Sequence, residues 1–150
     1  MKVKARGTEM KADSIIKNMF ILGALIDGAI SASWFLIAAG WEIPNILNGY
    51  IGIGSDYRLA MYVAAMFMAG WAVLLAWGAL KPVERRGLLL ITAGFLLLSV
   101  IAELIFYRHV LGGPVLVFGL TKRLVLTGLF TAAYIYSRGK GGLTIQPVTG

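Results

Sequence analysis

The chain has 150 residues, 59% of them hydrophobic and only 14% charged, with no cysteine and a single histidine, His109. Soluble domains run near about 45–50% apolar and about 25% charged, so a mean hydropathy of +0.81 excludes an ordinary water-soluble domain and points to a chain solvated mostly by lipid. Without cysteine there are no disulfides, iron–sulfur clusters, thiolate zinc sites or cysteine nucleophiles, and one histidine supplies neither a two-histidine haem nor a histidine-rich metal cage.

Residues 1–18 form a basic tail carrying Lys2, Lys4, Arg6, Lys11 and Lys17. The first apolar run covers about residues 19–40 (MFILGALIDGAISASWFLIAAG). It meets the roughly 20 residues needed to cross a hydrocarbon core and exceeds the core of a cleavable signal, so it is expected to be a retained helix. The joint 41–56 (WEIPNILNGYIGIGSD) is broken by Pro44, Asn45, Asn48-Gly49 and the Gly52/Gly54 pair, yet is rich in Ile, Leu and Tyr. It is expected to lie on the membrane surface or fold over the bundle mouth, with a re-entrant segment the lesser alternative. Asp56 suits the N-cap of a second span at about 57–80. A short basic joint, 81–87, leads to a third span at about 87–110, and the turn Gly112-Gly113-Pro114 to a fourth at about 114–137. Pro114 fits the first turn of that helix, where its missing N–H costs nothing. Residues 138–150 lack apolar periodicity and are expected to form a mobile tail, and their Gly-Lys-Gly-Gly run lacks the residues and setting of a phosphate loop. Backbone amides in lipid must bond within the segment, and this spacing suits helices, not barrel strands. The predicted fold is all-α, an integral membrane up-down bundle of four transmembrane helices joined by short loops.

Ten basic residues fall on the side of the two tails and the 81–87 joint, whereas the other side holds Arg58 and Arg108. The positive-inside bias therefore predicts both termini cytoplasmic, the 41–56 loop extracytoplasmic, and a multi-pass protein of the cell membrane. Aromatic belts agree, with Trp34, Trp41, Tyr50, Tyr57 and Tyr107 near one interface and Trp77, Tyr134 and Tyr136 near the other.

Four ionisable residues lie inside the spans: Asp27, Glu103, Lys122 and Arg123. Each costs about 2.5–3.5 kcal/mol near a helix centre unless it pairs, faces the bundle interior or meets water. Glu103 lies nine residues before Gly112, and Lys122 and Arg123 lie ten and eleven after it. At about 1.5 Å of rise per residue these levels match within roughly 3 Å, so Glu103 and Arg123 are expected to meet, with a long Arg123 side chain spanning much of the distance to Asp27. Polar or small stripes mark the inward faces: Gly23, Asp27 and Ser31; Thr92, Ser99, Glu103 and Tyr107; Gly119, Arg123, Thr127, Thr131 and Tyr134. On the second helix the stripe is Arg58, Tyr62, Ala65, Ala69 and Ala72, so Arg58, Tyr62 and Tyr107 would line an outer mouth. Lys122, one position off its stripe, is expected to pair in the cluster or snorkel at a partner interface.

These features fit a non-enzymatic protein that binds a small molecule or lipid, or an accessory subunit of a membrane complex. Two alternatives stay open. One is a proton- or ion-coupled secondary transporter using Asp27 or Glu103, and the other an enzyme acting on a lipid, with Glu103 or Asp27 as acid/base and Arg58, Lys122 and Arg123 holding an anionic headgroup. Asp27 resembles in placement the acid of the first helix in small multidrug transporters. The likeness ends there, since this chain is longer and carries two intramembrane bases. A buried Glu103–Arg123 pair can equally be structural, locking two helices in register. No metal site or cofactor is expected, and nucleic acid is not an expected partner, because the basic residues mark topology and no aromatic-rich soluble platform is present. The bilayer is the first partner, and small-residue and Met-rich faces point to a homo-oligomer or a partner membrane subunit.

Overall fold

The computed structural model describes residues 2–107 and 114–141, with side chains described for 13–106 and 117–138. The expectations for Arg108, His109, the Gly112-Gly113 turn, the Tyr107 side chain and residues 142–150 lie outside these. All described secondary structure is helical: α1 Lys2–Ala38, α2 Ser55–Gly78, α3 Gly87–Ala102 and α4 Pro114–Gly141. Asp13–Ala38 of α1, all of α2, and Gly87–Phe106 are long and apolar enough to cross a membrane. The fourth helix begins at Pro114 as the sequence indicates, and holds Lys122 and Arg123 within its length.

Several boundaries differ from the sequence reading. The first helix runs back through the basic tail to Lys2, a stretch of Lys, Ala, Glu and Met with no proline to stop it. The fourth continues past Ser137 to Gly141. Asp56 is not the N-cap of α2: Gly54 occupies that position at φ 98°, a conformation that favours glycine, and Asp56 sits in the first turn. There its carboxylate faces the positive end of the helix dipole and accepts a 3.2 Å hydrogen bond from the Ser55 hydroxyl. The third helix does not continue regularly towards residue 110 but widens into a π-helical segment, Glu103–Tyr107, beginning at one of the intramembrane charges.

Close contacts fix the packing. Phe20 lies against Gly78, Gly23 against Leu75, and the Ser31 hydroxyl donates to the Ala65 carbonyl at 2.9 Å, so α1 and α2 run antiparallel. A Cβ at Gly78 would stand 2.5 Å from the Phe20 ring, which is why glycine occupies that position. Arg123 reaches Ser99, and Arg86 reaches the Ser137 carbonyl, which makes α3 and α4 antiparallel as well. The face that α1 turns to the bundle reads Ile16, Phe20, Gly23, Asp27, Ile30, Trp34, Ile37, alternating steps of four and three. Its members feed two core clusters. One joins Ile16 and Phe20 to Leu75, Leu89, Ala93, Phe130 and Ala133. The other joins Ile30, Trp34 and Ile37 to Ala65 beneath the 41–54 joint. Thus α1 packs along α2, α3 along α4, and α1 against α4, whereas α2 and α3 barely approach each other. An edge-on contact of Trp71 with Phe95, 6.2 Å between ring centres, bridges them within both helices.

Candidate functional site

Arg123 is the most deeply buried charge among the described residues, with its side chain 4% exposed, and its Nη2 contacts the Glu103 carboxylate, itself 13% exposed. The same guanidinium donates from Nη1 to the Ser99 hydroxyl at 3.3 Å and from Nε to the Gly119 carbonyl at 3.2 Å. Ser99 in turn donates to the Leu96 carbonyl at 2.7 Å. The guanidinium is held on three sides and its carboxylate is paired, the condition under which a buried ion pair offsets its desolvation. Other hydroxyls on the polar stripes bond back along their own helices, Thr92 to Leu88, Thr127 to Arg123 and Ser137 to Tyr134. Such back-bonding satisfies the hydroxyl locally, so the stripes do not by themselves mark a polar pathway.

Lys122 takes no part in this pair. Its Nζ donates to the Ile46 carbonyl at 2.8 Å and lies 4.6 Å from the centre of the Phe118 ring, so it ties α4 to the 41–54 joint. That joint is folded over the end of the bundle. Asn45 is buried and organises it: its Oδ1 accepts from Trp34 Nε1 at 3.1 Å and from the Leu47 backbone N–H at 3.0 Å, and its own backbone N–H donates to the Tyr50 carbonyl at 2.9 Å. Leu47 then rests on Gly119, where a Cβ would lie 2.6 Å from its carbonyl oxygen. Sequence reasoning marked Asn45 only as a helix breaker and Trp34 only as a belt residue. The signal that could have found the pair was an indole needing an acceptor and a loop amide able to supply one.

Asp27 occupies the centre of the buried face of α1, between the two core clusters, yet is only half-buried. It makes no hydrogen bond or ion pair among the described residues, and Arg123 is committed to Glu103. The expected reach of Arg123 to Asp27 is therefore not realised: the long side chain turns to the neighbouring helix, where a carboxylate stands at its own level.

Arg58 and Tyr62 lie at the surface, near the 41–54 joint. Arg58 is exposed and packs over Gly40, whose φ of 101° turns the chain out of α1, and Tyr62 is 50% exposed with its ring edge-on to Phe35 at 6.1 Å. Both border an open groove of about 390 Å³ between α1 and α2, floored by Phe35, Ala38, Ala39 and Leu59. On the other flank of Arg58 a crevice of about 10 Å³, roomy enough for one water, is bordered by Glu42 and Tyr57. The Tyr57 hydroxyl is buried without a hydrogen-bond partner among the described residues. Arg58 itself forms no ion pair among the described residues. No group of three or more histidine, aspartate or glutamate side chains is placed to hold a metal among the described residues.

Set beside known proteins, the chain matches no family model, no curated protein and no solved structure.

Proposed function

We propose that the chain is a four-span membrane protein with cytoplasmic termini, and that it is a non-enzymatic binder of an anionic amphiphile at the mouth beside the 41–54 joint. The observation that carries this reading is Arg58, an unpaired cation at the lip of an apolar groove where α1 meets α2. A phosphate-bearing lipid matches that arrangement, with its headgroup on the guanidinium and its chain along Phe35, Leu59 and Tyr62. The four-span topology is supported by the helix from Pro114 and by the lopsided distribution of basic residues. The enzyme reading has less support, because Glu103 and Arg123 satisfy each other and Lys122 is spent on a loop carbonyl.

The test is lipid binding in nanodiscs, comparing phosphatidylglycerol with phosphatidylcholine by native mass spectrometry. Retention of the acidic lipid should fall about tenfold in Arg58→Gln, the scale of one lost charge-assisted hydrogen bond. Equal retention of the two lipids by the native chain would overturn the reading. A proton-coupled carrier is the second reading, favoured by the half-buried and unpartnered Asp27. It requires pH-driven solute flux in proteoliposomes that Asp27→Asn abolishes.

A further inference from the structure

Arg58 stands between two recesses of different character. The groove on one flank is open and floored by apolar side chains, whereas the crevice on the other is about 10 Å³ and has Glu42 at its border. The turn out of α1 builds this arrangement. The Arg58 guanidinium lies on Gly40, so close that a Cβ there would stand 3.3 Å from the guanidinium carbon. Glu42 follows two residues later, at most about 7 Å of chain away. The two charges nevertheless form no ion pair, and the exposed Glu42 carboxylate takes no hydrogen bond among the described residues. Tyr57 also borders the crevice, and its ring is fixed by Gly52, where a Cβ would lie 2.5 Å away, and by the edge of Tyr50 at 5.8 Å. A base and an acid thus border one water-sized recess without neutralising each other.

We propose that this crevice selects an aminophospholipid, with its phosphate on Arg58 and its primary ammonium in the crevice on the Glu42 carboxylate. The inference rests on the functional reading that puts a lipid phosphate on Arg58, and it names what lies beyond that phosphate. Charge complementarity chooses the class. An unpaired base and acid side by side match a headgroup whose phosphate and ammonium are joined by a short carbon bridge. Size narrows it, because a crevice that holds one water admits a primary ammonium and refuses trimethylammonium. The anionic member of the class is phosphatidylserine, whose ammonium reaches Glu42 while its net charge stays negative. Phosphatidylglycerol has the phosphate for Arg58 but no cation for Glu42. Glu42 is therefore a specificity-determining residue and Arg58 the anchor.

The test uses the full chain in nanodiscs and native mass spectrometry, with phosphatidylserine against phosphatidylglycerol and phosphatidylethanolamine against phosphatidylcholine. The first pair should differ about tenfold in favour of the amine, the scale of one charge-assisted hydrogen bond. The second differs only by methyl groups on nitrogen and should show the same order. Glu42→Ala removes an exposed side chain without a partner, so the unfolding midpoint should hold while both amine preferences vanish. The preference for phosphatidylglycerol over phosphatidylcholine should persist in that variant, since it depends on Arg58. Equal retention of phosphatidylserine and phosphatidylglycerol by the native chain, both above phosphatidylcholine, would overturn this inference and leave the functional reading standing. An amine preference that survives Glu42→Ala would also overturn it. Equal retention of phosphatidylglycerol and phosphatidylcholine would remove the functional reading and this inference with it.

Discussion

Arg123 of α4 pairs with Glu103, the first residue of the π-helical segment that continues α3. The pairing has an asymmetric energetic signature. Removing one partner leaves the other charge buried and uncompensated, which costs about 3–5 kcal/mol in buried pairs, whereas replacing both with apolar groups of similar size is near neutral or better. Glu103→Gln and Arg123→Gln should each lower the thermal unfolding midpoint in detergent sharply, and the double leucine variant should recover most of the loss. Additive losses in the double variant would mean that the pair serves something other than joining these helices.

Asn45 is predicted to matter more to the loop than any apolar residue in it. Asn45→Ala removes the acceptor of the Trp34 indole and of the Leu47 amide, leaving a buried donor unpaired at about 1–3 kcal/mol. The expected outcome is a red shift of Trp34 emission and faster proteolysis within residues 41–54. Asn45→Asp keeps both acceptors and should hold the loop better than alanine. The check is the order of the three proteins in cleavage rate.

How much of this was legible beforehand differs between elements. The apolar runs located the helices, because their length and composition are set by the medium they cross. The depth match between Glu103 and Arg123 followed from counting residues to the Gly112 turn, since the rise per residue is fixed. Three things did not follow. The sequence stripe on α2 put Arg58 and Tyr62 at an outer mouth, but a helical repeat does not say which neighbouring residues shape that mouth, and both border an open groove against α1. That Arg123 would stop at Glu103 and not reach on to Asp27 was decided by which helix lies alongside. The loop was legible as broken helix, but its anchoring by Asn45, Lys122 and Gly119 depends on contacts between segments far apart in the chain.

The glycines of the spans separate into two classes with opposite predicted effects. At Gly78 a new Cβ would run into the Phe20 ring at 2.5 Å, and Gly78→Val should cost about 1–3 kcal/mol by overpacking the α1–α2 contact. At Gly94, in the middle of α3, a Cβ meets nothing within 4 Å, so Gly94→Ala should gain up to about 1 kcal/mol through helix propensity alone. Opposite signs in the unfolding midpoints of the two variants are the expected result. Destabilisation by Gly94→Ala would mean that an unseen neighbour packs on that face of α3.

Gly119 and Lys122 act on the same loop, so their substitutions should couple. Gly119→Ala places a methyl 2.6 Å from the Leu47 carbonyl oxygen, and backbone cannot move aside as a flexible side chain can. The loop must lift, at about 1–3 kcal/mol. Lys122→Met keeps the apolar stem over Phe118 and removes only the bond to Ile46, so its own cost should be smaller, about 1 kcal/mol. Once Gly119→Ala has lifted the loop, the Ile46 carbonyl is no longer where Lys122 can reach it, and the second substitution has less left to remove. The double variant should therefore cost less than the two singles together by at least about 0.5 kcal/mol, measured as a double-mutant cycle on the unfolding midpoint with proteolysis of 41–54 as the local readout. Strict additivity would place Lys122 and Gly119 on independent contacts and would remove α4 as the anchor of the loop.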